Sequence, residues 1–320
     1  MKKILKIEIF LILIAVSCNT LISLPDAKKP DISTDSQNES KIKNDVLKPS
    51  QLAANYAILI DIASGEVLFD KNSDSKCYPA STTKILTALL VLENISLDEE
   101  IIIGDEANLI NPDSSKAGIR YGEKLSIRQL LHCLLIASGN DAAYSIAVHT
   151  ARKMRGDEEL SERDAIRFFS DQMNLKAIEL GAINSHFNNP DGFHNQQHYS
   201  TAHDIALIAL KALGNSEIRE VVRKESFRLP DISDIDRNGN EYSERRLLLN
   251  TNRLLLQGDD YYPYATGMKT GHTDKAGFCL VSTAEKDGRS VLAVVMKSTE
   301  EKIWLDSRTL LEYGLRFDPK

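Results

Sequence analysis

Pro79-Ala80-Ser81-Thr82-Thr83-Lys84-Ile85-Leu86-Thr87-Ala88-Leu89-Leu90 places a proline stop before a hydroxyl-rich turn and then apolar residues at helical spacing. The pattern predicts a helix from Ser81, because Ile85, Leu86, Leu89 and Leu90 recur every three or four positions after Pro79 has closed the preceding segment. Upstream, Tyr56-Ala57-Ile58-Leu59-Ile60-Asp61 and Glu66-Val67-Leu68-Phe69-Asp70 flank Ala63-Ser64-Gly65, which reads as two strands around a Gly-bearing turn. Downstream, helical spacing returns over 127–136, 141–155, 163–180 and 202–213, the last after the loop Asn189-Pro190-Asp191-Gly192 with Ser200 and Thr201 as candidate caps. Strand-like Phe278 to Ala284 and Val291 to Met296 are separated by Glu285-Lys286-Asp287-Gly288, and Ile303 to Leu315 reads as a closing helix. Strands at both ends with helices between predict an α/β fold. The terminal strands share one sheet, the helical middle forms a second lobe, and a cleft lies between them.

The 320 residues allow one large domain or two intergrown lobes. The 39 basic and 46 acidic residues give a net charge of -7, which argues against a nucleic-acid-binding face. Lys2, Lys3 and Lys6 precede an apolar run from Ile9 to Val16, then Ser17 and Cys18, so residues 1–18 read as a secretory signal. A membrane-spanning helix needs about 20 apolar residues, and this run is shorter. Its end, Ala15-Val16-Ser17-Cys18, resembles a bacterial lipoprotein processing site that leaves a lipid on Cys18, with simple cleavage to a soluble periplasmic protein as the alternative. Residues 19–50, rich in Lys, Asp, Ser, Asn and Pro, read as a disordered tether, and residues 51–320 as one catalytic domain. Cys77, Cys133 and Cys279 are odd in number and lack a Cys-x-x-Cys pair, so they read as buried free thiols.

Three short motifs carry chemistry. In Ser81-Thr82-Thr83-Lys84 a spacing of three on a helix brings the amine within reach of the hydroxyl, which is a poor nucleophile without a base. At the start of a helix, free N–H groups and the positive dipole end also face a developing oxyanion. Ser138-Gly139-Asn140 follows apolar Leu134-Leu135-Ile136-Ala137 and would set a hydroxyl and an amide at the cleft edge. In Lys269-Thr270-Gly271, Gly271 lets a substrate approach the strand closely, and Lys269 offers a fixed positive charge to a carboxylate. Singly, these read equally well as a polar helix face, a capped turn and an edge strand.

Taken in order, Ser-x-x-Lys, Ser-x-Asn and Lys-Thr-Gly form the signature of penicillin-binding proteins and serine beta-lactamases. With Pro79-Ala80 before the first, Asp141-Ala142-Ala143 after the second, Asp191-Gly192 before Tyr199-Ser200-Thr201-Ala202, and Gly267-Met268 before and His272-Thr273 after the third, the chain resembles the low-molecular-mass D-alanyl-D-alanine carboxypeptidases over about residues 52 to 318. The resemblance implies a beta-lactamase/transpeptidase-like fold with an antiparallel sheet from both chain ends. It implies Ser81 as nucleophile and Lys84 as its base. Ser138 and Lys269 relay a proton to the leaving amine, Asn140 binds the substrate amide, and Lys269 with Thr270 and Gly271 holds the carboxylate. Backbone N–H groups of Ser81 and His272 form the oxyanion hole. No cofactor is implied; the partners are peptidoglycan stem peptides, with beta-lactams as covalent inhibitors. Relatives carry an Arg before the last helix to assist carboxylate binding, whereas this stretch reads Ser298-Thr299-Glu300-Glu301-Lys302-Ile303, leaving Lys302 as the substitute.

Three competing readings stand beside this one. His194, His198 and His203 suggest a zinc peptidase, but no general-base Glu motif accompanies them. A class A beta-lactamase needs a Glu-x-x-Leu-Asn loop, and Asp157-Glu158-Glu159-Leu160-Ser161 is the nearest stretch. A wall-peptide-binding lipoprotein without turnover is the third.

Overall fold

The computed structural model describes residues 46–317 except 231 and 236–240. The signal reading of 1–18 and the tether reading of 19–45 lie outside the described residues. In chain order the strands are β1 (Tyr56–Asp61), β2 (Val67–Lys71), β3 (Glu100–Ile102), β4 (Lys124–Ser126), β5 (Ser226–Arg228), β6 (Ile232–Ile235), β7 (Glu241–Glu244), β8 (Leu247–Leu249), β9 (Ala265–Thr273), β10 (Gly277–Lys286) and β11 (Arg289–Ser298). The helices are α1 (Lys84–Asn94), α2 (Ile127–Leu135), α3 (Asn140–Arg155), α4 (Glu162–Glu179), α5 (Ala202–Leu213), α6 (Ser216–Val222) and α7 (Ile303–Arg316).

β1 joins the two ends of the chain. It pairs antiparallel with β11 from Tyr56↔Met296 to Asp61↔Val291, and the sheet runs β2-β1-β11-β10-β9 with every pairing antiparallel. Side chains alternate along the strands, so Ala57 and Leu59 face one core with Leu280, Ala293 and Val295, while Ile58 and Ile60 face the other with Val281, Leu292 and Val294. Both faces are covered, which is why β1 reads as an unbroken apolar run. α7 packs on the first face through Ile303, Leu310 and Leu311, and α5 on the second through residues such as Ile205 and Ile208. Truncating Leu59 to Ala would cost about 2–5 kcal/mol by leaving a cavity under α7.

Leu47, inside the stretch read as tether, packs against the α7 side of the sheet. Asp306 of α7 accepts the amides of Ala53 and Ala54, each at 2.9 Å, and the Ser298 hydroxyl at 2.7 Å. This carboxylate ties the first described residues to the last helix.

α1 is the axis of the helical lobe. Its residues from Lys84 to Val91 are all buried, as expected of a helix surrounded on every side, and it packs against α2, α3, α4 and α5. Local chemistry sets the ends of its neighbours. Ser126 and Gln129 form a reciprocal capping box at α2, Thr201 caps α5 by accepting the Asp204 amide at 3.0 Å, and Gly156, with φ of +65°, ends α3 in the left-handed conformation. The ribbons β3–β4, β5–β8 and β6–β7 lie outside the main sheet.

Candidate active site

Ser81 does not lie in the first turn of an α-helix. It occupies a 3₁₀ turn, Ala80–Thr83, and α1 begins at Lys84. The turn is tight: the Thr82 hydroxyl donates to Pro79 O at 2.7 Å, and Ala80 takes a φ of +49°, which is costly for a residue with a side chain. Gly192 packs directly on it. A Cβ on Gly192 would fall 1.9 Å from Ala80 O, so only glycine fits there.

The Lys84 side chain is fully buried and uses all three of its donors. Nζ donates to Ser81 Oγ at 2.8 Å, to Asn140 Oδ1 at 2.6 Å and to Asp191 O at 2.7 Å. Burial brings its pKa down to about 8, against the opposing pull of Asp191 and Asp141. A base near neutrality therefore touches the hydroxyl.

Ser138 and Asn140 reach the cleft where α3 begins. Ser138 is buried with φ of +58°, and Asn140 is the first residue of the helix. Gly139 lies so close to Ala117 that a Cβ would sit 2.8 Å from the alanine methyl. The loop before β4 is strapped down at this point: Asn140 N donates to Ser115 O at 2.8 Å, and the Asp141 carboxylate accepts the amides of Ala117, Gly118 and Ile119 at 2.9, 2.9 and 3.2 Å.

β9, the last strand of the sheet, brings the third motif. A Cβ on Gly271 would lie 2.9 Å from Ser81 N, so the glycine is needed first for the approach of β9 to the serine turn. Thr270 Oγ1 lies 2.6 Å from Thr251 Oγ1, and the exposed His272 ring packs on Phe278 at 4.2 Å. Lys269 is 1% exposed, and its Nζ donates to Thr270 O at 2.9 Å. Burial, with the Lys84 ammonium adding to it, holds its pKa well below the ordinary lysine value. The positive charge expected at Lys269 is therefore held less firmly than that of an exposed lysine.

The cleft has a volume of about 750 Å³ and is lined by Ser81, Ser138, Asn140, Thr270, Gly271 and His272 among others, with Lys84 and Lys269 buried behind the lining. Six of the eight residues expected from the three motifs thus open onto one groove, and the remaining two are the lysines. Sequence reasoning counted Asp191, whose carbonyl holds Lys84, in the resemblance but gave it no role, and it missed Thr251, which lines the cleft and touches Thr270. The Asn-Pro-Asp-Gly loop was the available signal for the first; for the second there was none.

Other expectations change. At the start of α7 it is Ile303 and Trp304 that line the cleft, not Lys302. His198 is buried with both ring nitrogens engaged. Nδ1 accepts the Asn188 amide at 3.1 Å, so Nε2 carries the proton and donates to Thr83 Oγ1 at 2.9 Å, and burial pushes the ring pKa down to about 3. His203 pairs with Asp74, and His194 packs edge-on to Tyr78. Among the described residues no three His, Cys, Asp or Glu side chains are placed to hold a metal. Asp157 to Ser161 form the turn from α3 to α4 and are not in the cleft. Cys77, Cys133 and Cys279 are buried free thiols.

A hydroxyl bonded to a buried lysine of depressed pKa, in a cleft between a sheet and a helical lobe, defines a serine-acylating hydrolase. The sequence pattern of D-alanyl-D-alanine carboxypeptidases matches residues 42–300, and the chain belongs to that family of serine-type carboxypeptidases. It is 34% identical over 267 residues to the D-alanyl-D-alanine carboxypeptidase DacF of Bacillus subtilis, covering 81% of this chain and 62% of that protein. It is 33% identical to the D-alanyl-D-alanine carboxypeptidase of Streptomyces sp. strain K15, covering 84% of this chain and 89% of that one. The crystal structure of the Streptomyces K15 DD-transpeptidase superposes with a TM-score of 0.73 at 31% identity, over 82% of this chain and 97% of that one. The D-alanyl-D-alanine carboxypeptidase of Mycobacterium tuberculosis H37Rv gives a TM-score of 0.70 at 29% identity, over 84% and 93% of the two chains. The fold is accordingly the beta-lactamase/transpeptidase type.

Proposed function

We propose that this chain removes the terminal D-alanine from peptidoglycan stem pentapeptides through an acyl-enzyme on Ser81. The observation that carries the reading is the 2.8 Å bond between Lys84 Nζ and Ser81 Oγ in a buried setting. In the proposed step, Lys84 takes the Ser81 proton as Oγ attacks the carbonyl between the two D-alanines, with the Ser81 and His272 amides receiving the oxyanion. Ser138 and Lys269 pass a proton to the departing amine, and D-alanine leaves. Asn140 holds the substrate amide, while Lys269, Thr270 and Gly271 hold the terminal carboxylate. Water then hydrolyses the ester. The binding of a carboxylate would strengthen the charge of Lys269, since an adjacent anion favours the ammonium.

The same site would be acylated by a beta-lactam. Asp191, the carboxyl whose charge acts most on Lys84, is buried behind the cleft and does not line it, which favours a long-lived penicillin adduct over rapid beta-lactamase turnover. Wall peptides lie outside the cytoplasm, so the chain is placed there, with the apolar run before Cys18 as leader and a lipid on Cys18 as anchor. Among the described residues no helix is long and apolar enough to cross a membrane.

The deciding assay is release of D-alanine from a synthetic pentapeptide together with mass spectrometry of a penicillin-treated sample. Wild-type enzyme should release D-alanine and carry the adduct on Ser81, and Ser81→Ala should do neither. Turnover by Ser81→Ala, or an adduct elsewhere, would sink the proposal. A Cys18→Ser variant that still partitions with membranes would remove the lipid anchor.

A further inference from the structure

The first residues of α7 bring no charge to the cleft. Ile303 and Trp304 line it there, and Phe278 of β10 and His272 of β9 line it too, their rings 4.2 Å apart. These groups share one face of the sheet. In the antiparallel register Thr270 lies opposite Leu280 and His272 opposite Phe278; Leu280 and Ile303 belong to the core under α7, and Phe278 and Trp304 pack against it. Among the described residues no arginine lines the cleft, and the charged lining residues Asp113, Asp274 and Lys275 stand in turns.

The indole is braced from outside the groove. Arg253 lies over the Trp304 ring, 5.4 Å from its centroid, and pairs with Asp260, but does not itself line the cleft. Arg253 opens the 3₁₀ turn Arg253–Leu255, two residues after Thr251. Asn252 caps that turn by accepting the Leu254 amide at 3.2 Å, and Leu254 O accepts the Tyr262 amide at 2.9 Å. Because Thr251 Oγ1 lies 2.6 Å from Thr270 Oγ1, this short connection sets the indole beside the pair of hydroxyls.

We propose that Trp304, with Ile303 and Phe278, forms an apolar subsite for the side chain of the C-terminal D-residue, so that the enzyme also releases apolar D-residues larger than alanine, such as D-leucine. The inference rests on the reading in which Thr270 holds the terminal carboxylate. The α-carbon is one bond from that carboxylate, so its substituent is the part of the substrate closest to the wall. The methyl group of D-alanine leaves most of the wall in water, whereas an isobutyl group removes apolar surface from water on both partners. The chemistry is unchanged: the amide C–N bond breaks, the acyl carbon passes to Ser81 Oγ, and the amide nitrogen gains a proton as D-leucine departs.

Space and polarity both bear on the occupant. A cleft of about 750 Å³ is of a size that encloses ligands much larger than an isobutyl group, so room does not limit the side chain to a methyl. Polarity does select. A carboxamide of the same shape as isobutyl would give up its water for a surface made chiefly of an indole, a phenyl ring and an isoleucine, and it would be left short of hydrogen-bond partners.

The test is kcat/KM for release of the last residue from synthetic pentapeptides ending in D-alanyl-D-alanine, D-alanyl-D-leucine and D-alanyl-D-asparagine, in wild-type enzyme and Trp304→Ala. The side chains of leucine and asparagine have nearly the same shape, so the ratio between those two substrates reports polarity and not room. Wild type should favour D-leucine over D-asparagine about tenfold, and Trp304→Ala should bring that ratio below about threefold. A wild-type ratio below about threefold would overturn the inference, and so would a ratio that stays above it in Trp304→Ala. Should Trp304→Ala fail to fold, the wild-type ratio decides alone. Release of D-alanine without release of D-leucine would defeat the inference and leave the parent reading intact. Absence of release from all three peptides would sink the parent reading, and this inference with it.

Discussion

Lys84 and Lys269 are both buried and both have pKa values pulled down, yet their surroundings are opposites. Lys84 meets an acceptor with each of its three donors and has two carboxylates, Asp191 and Asp141, within electrostatic reach. Lys269 donates to the carbonyl of its own chain neighbour, and the charge that acts on it is another cation. The difference shows how one residue type can serve two purposes. A lysine whose positive form is partly compensated titrates near neutrality and is ready as a base. A lysine left uncompensated holds its proton less firmly, and a ligand that supplies an anion would strengthen that hold.

The sharpest way to break this contrast is to remove the compensated amine. Lys84→Met should lower the rate of penicillin acylation by about 10²–10⁴-fold, the usual contribution of a positioned base, with the thermal melt checked alongside. Loss of only a few-fold would show that the hydroxyl is activated from elsewhere. Next, Lys269→Gln should lower kcat/KM for a free-acid pentapeptide roughly tenfold or more, the worth of a hydrogen bond to a charged group, while a C-terminal amide analogue should be nearly indifferent. Equal losses for both substrates would erase the distinction between the two lysines.

The supports beneath the two sides give smaller effects. His198 braces the Lys84 side as a neutral ring, titrating near 3 in the fold against a usual value of 6.5. The unfolded chain binds a proton that the folded chain refuses, so stability should be full above about pH 6.5 and decline as pH falls toward 3. His198→Gln should flatten that decline in urea titrations run at several pH values; an unchanged slope would show that the ring is not titrating as described. On the Lys269 side, Thr251→Val should raise KM by about 2- to 10-fold by freeing the Thr270 hydroxyl, leaving the pH midpoint of penicillin acylation where it was. A shifted midpoint would tie Thr251 to Lys84 instead.

Much of this was legible in the residues. Ser81 and Lys84 stood out because their spacing of three comes first in an ordered set of three motifs, and β1 and β11 because buried strands have few polar letters. The 3₁₀ character of the serine turn was not, since a four-residue turn and the start of an α-helix share their side-chain pattern. Ribbons of three or four residues such as β3 and β8 are too short to show alternation. At α7 the sequence placed the lysine at the cleft, but the phase of the helix start sets Ile303 and Trp304 there. The placing of Asp191 and Thr251 and the lowered pKa of Lys269 depend on what packs around them, which no local pattern encodes.

The pairing of β1 with β11 also governs how the protein comes into being. A chain made from its N-terminus holds Tyr56–Asp61 early, but its partner Arg289–Ser298 arrives only after the whole helical lobe has been made. Such distant pairings slow folding, because the ends of a long loop must meet before any contact rewards the search. Until then the Ala57-Ile58-Leu59-Ile60 segment is an unpaired apolar strand, open to association with other nascent chains. Chains cut short before residue 289 should therefore aggregate, and the newborn protein should depend on a holding chaperone until β11 is in place.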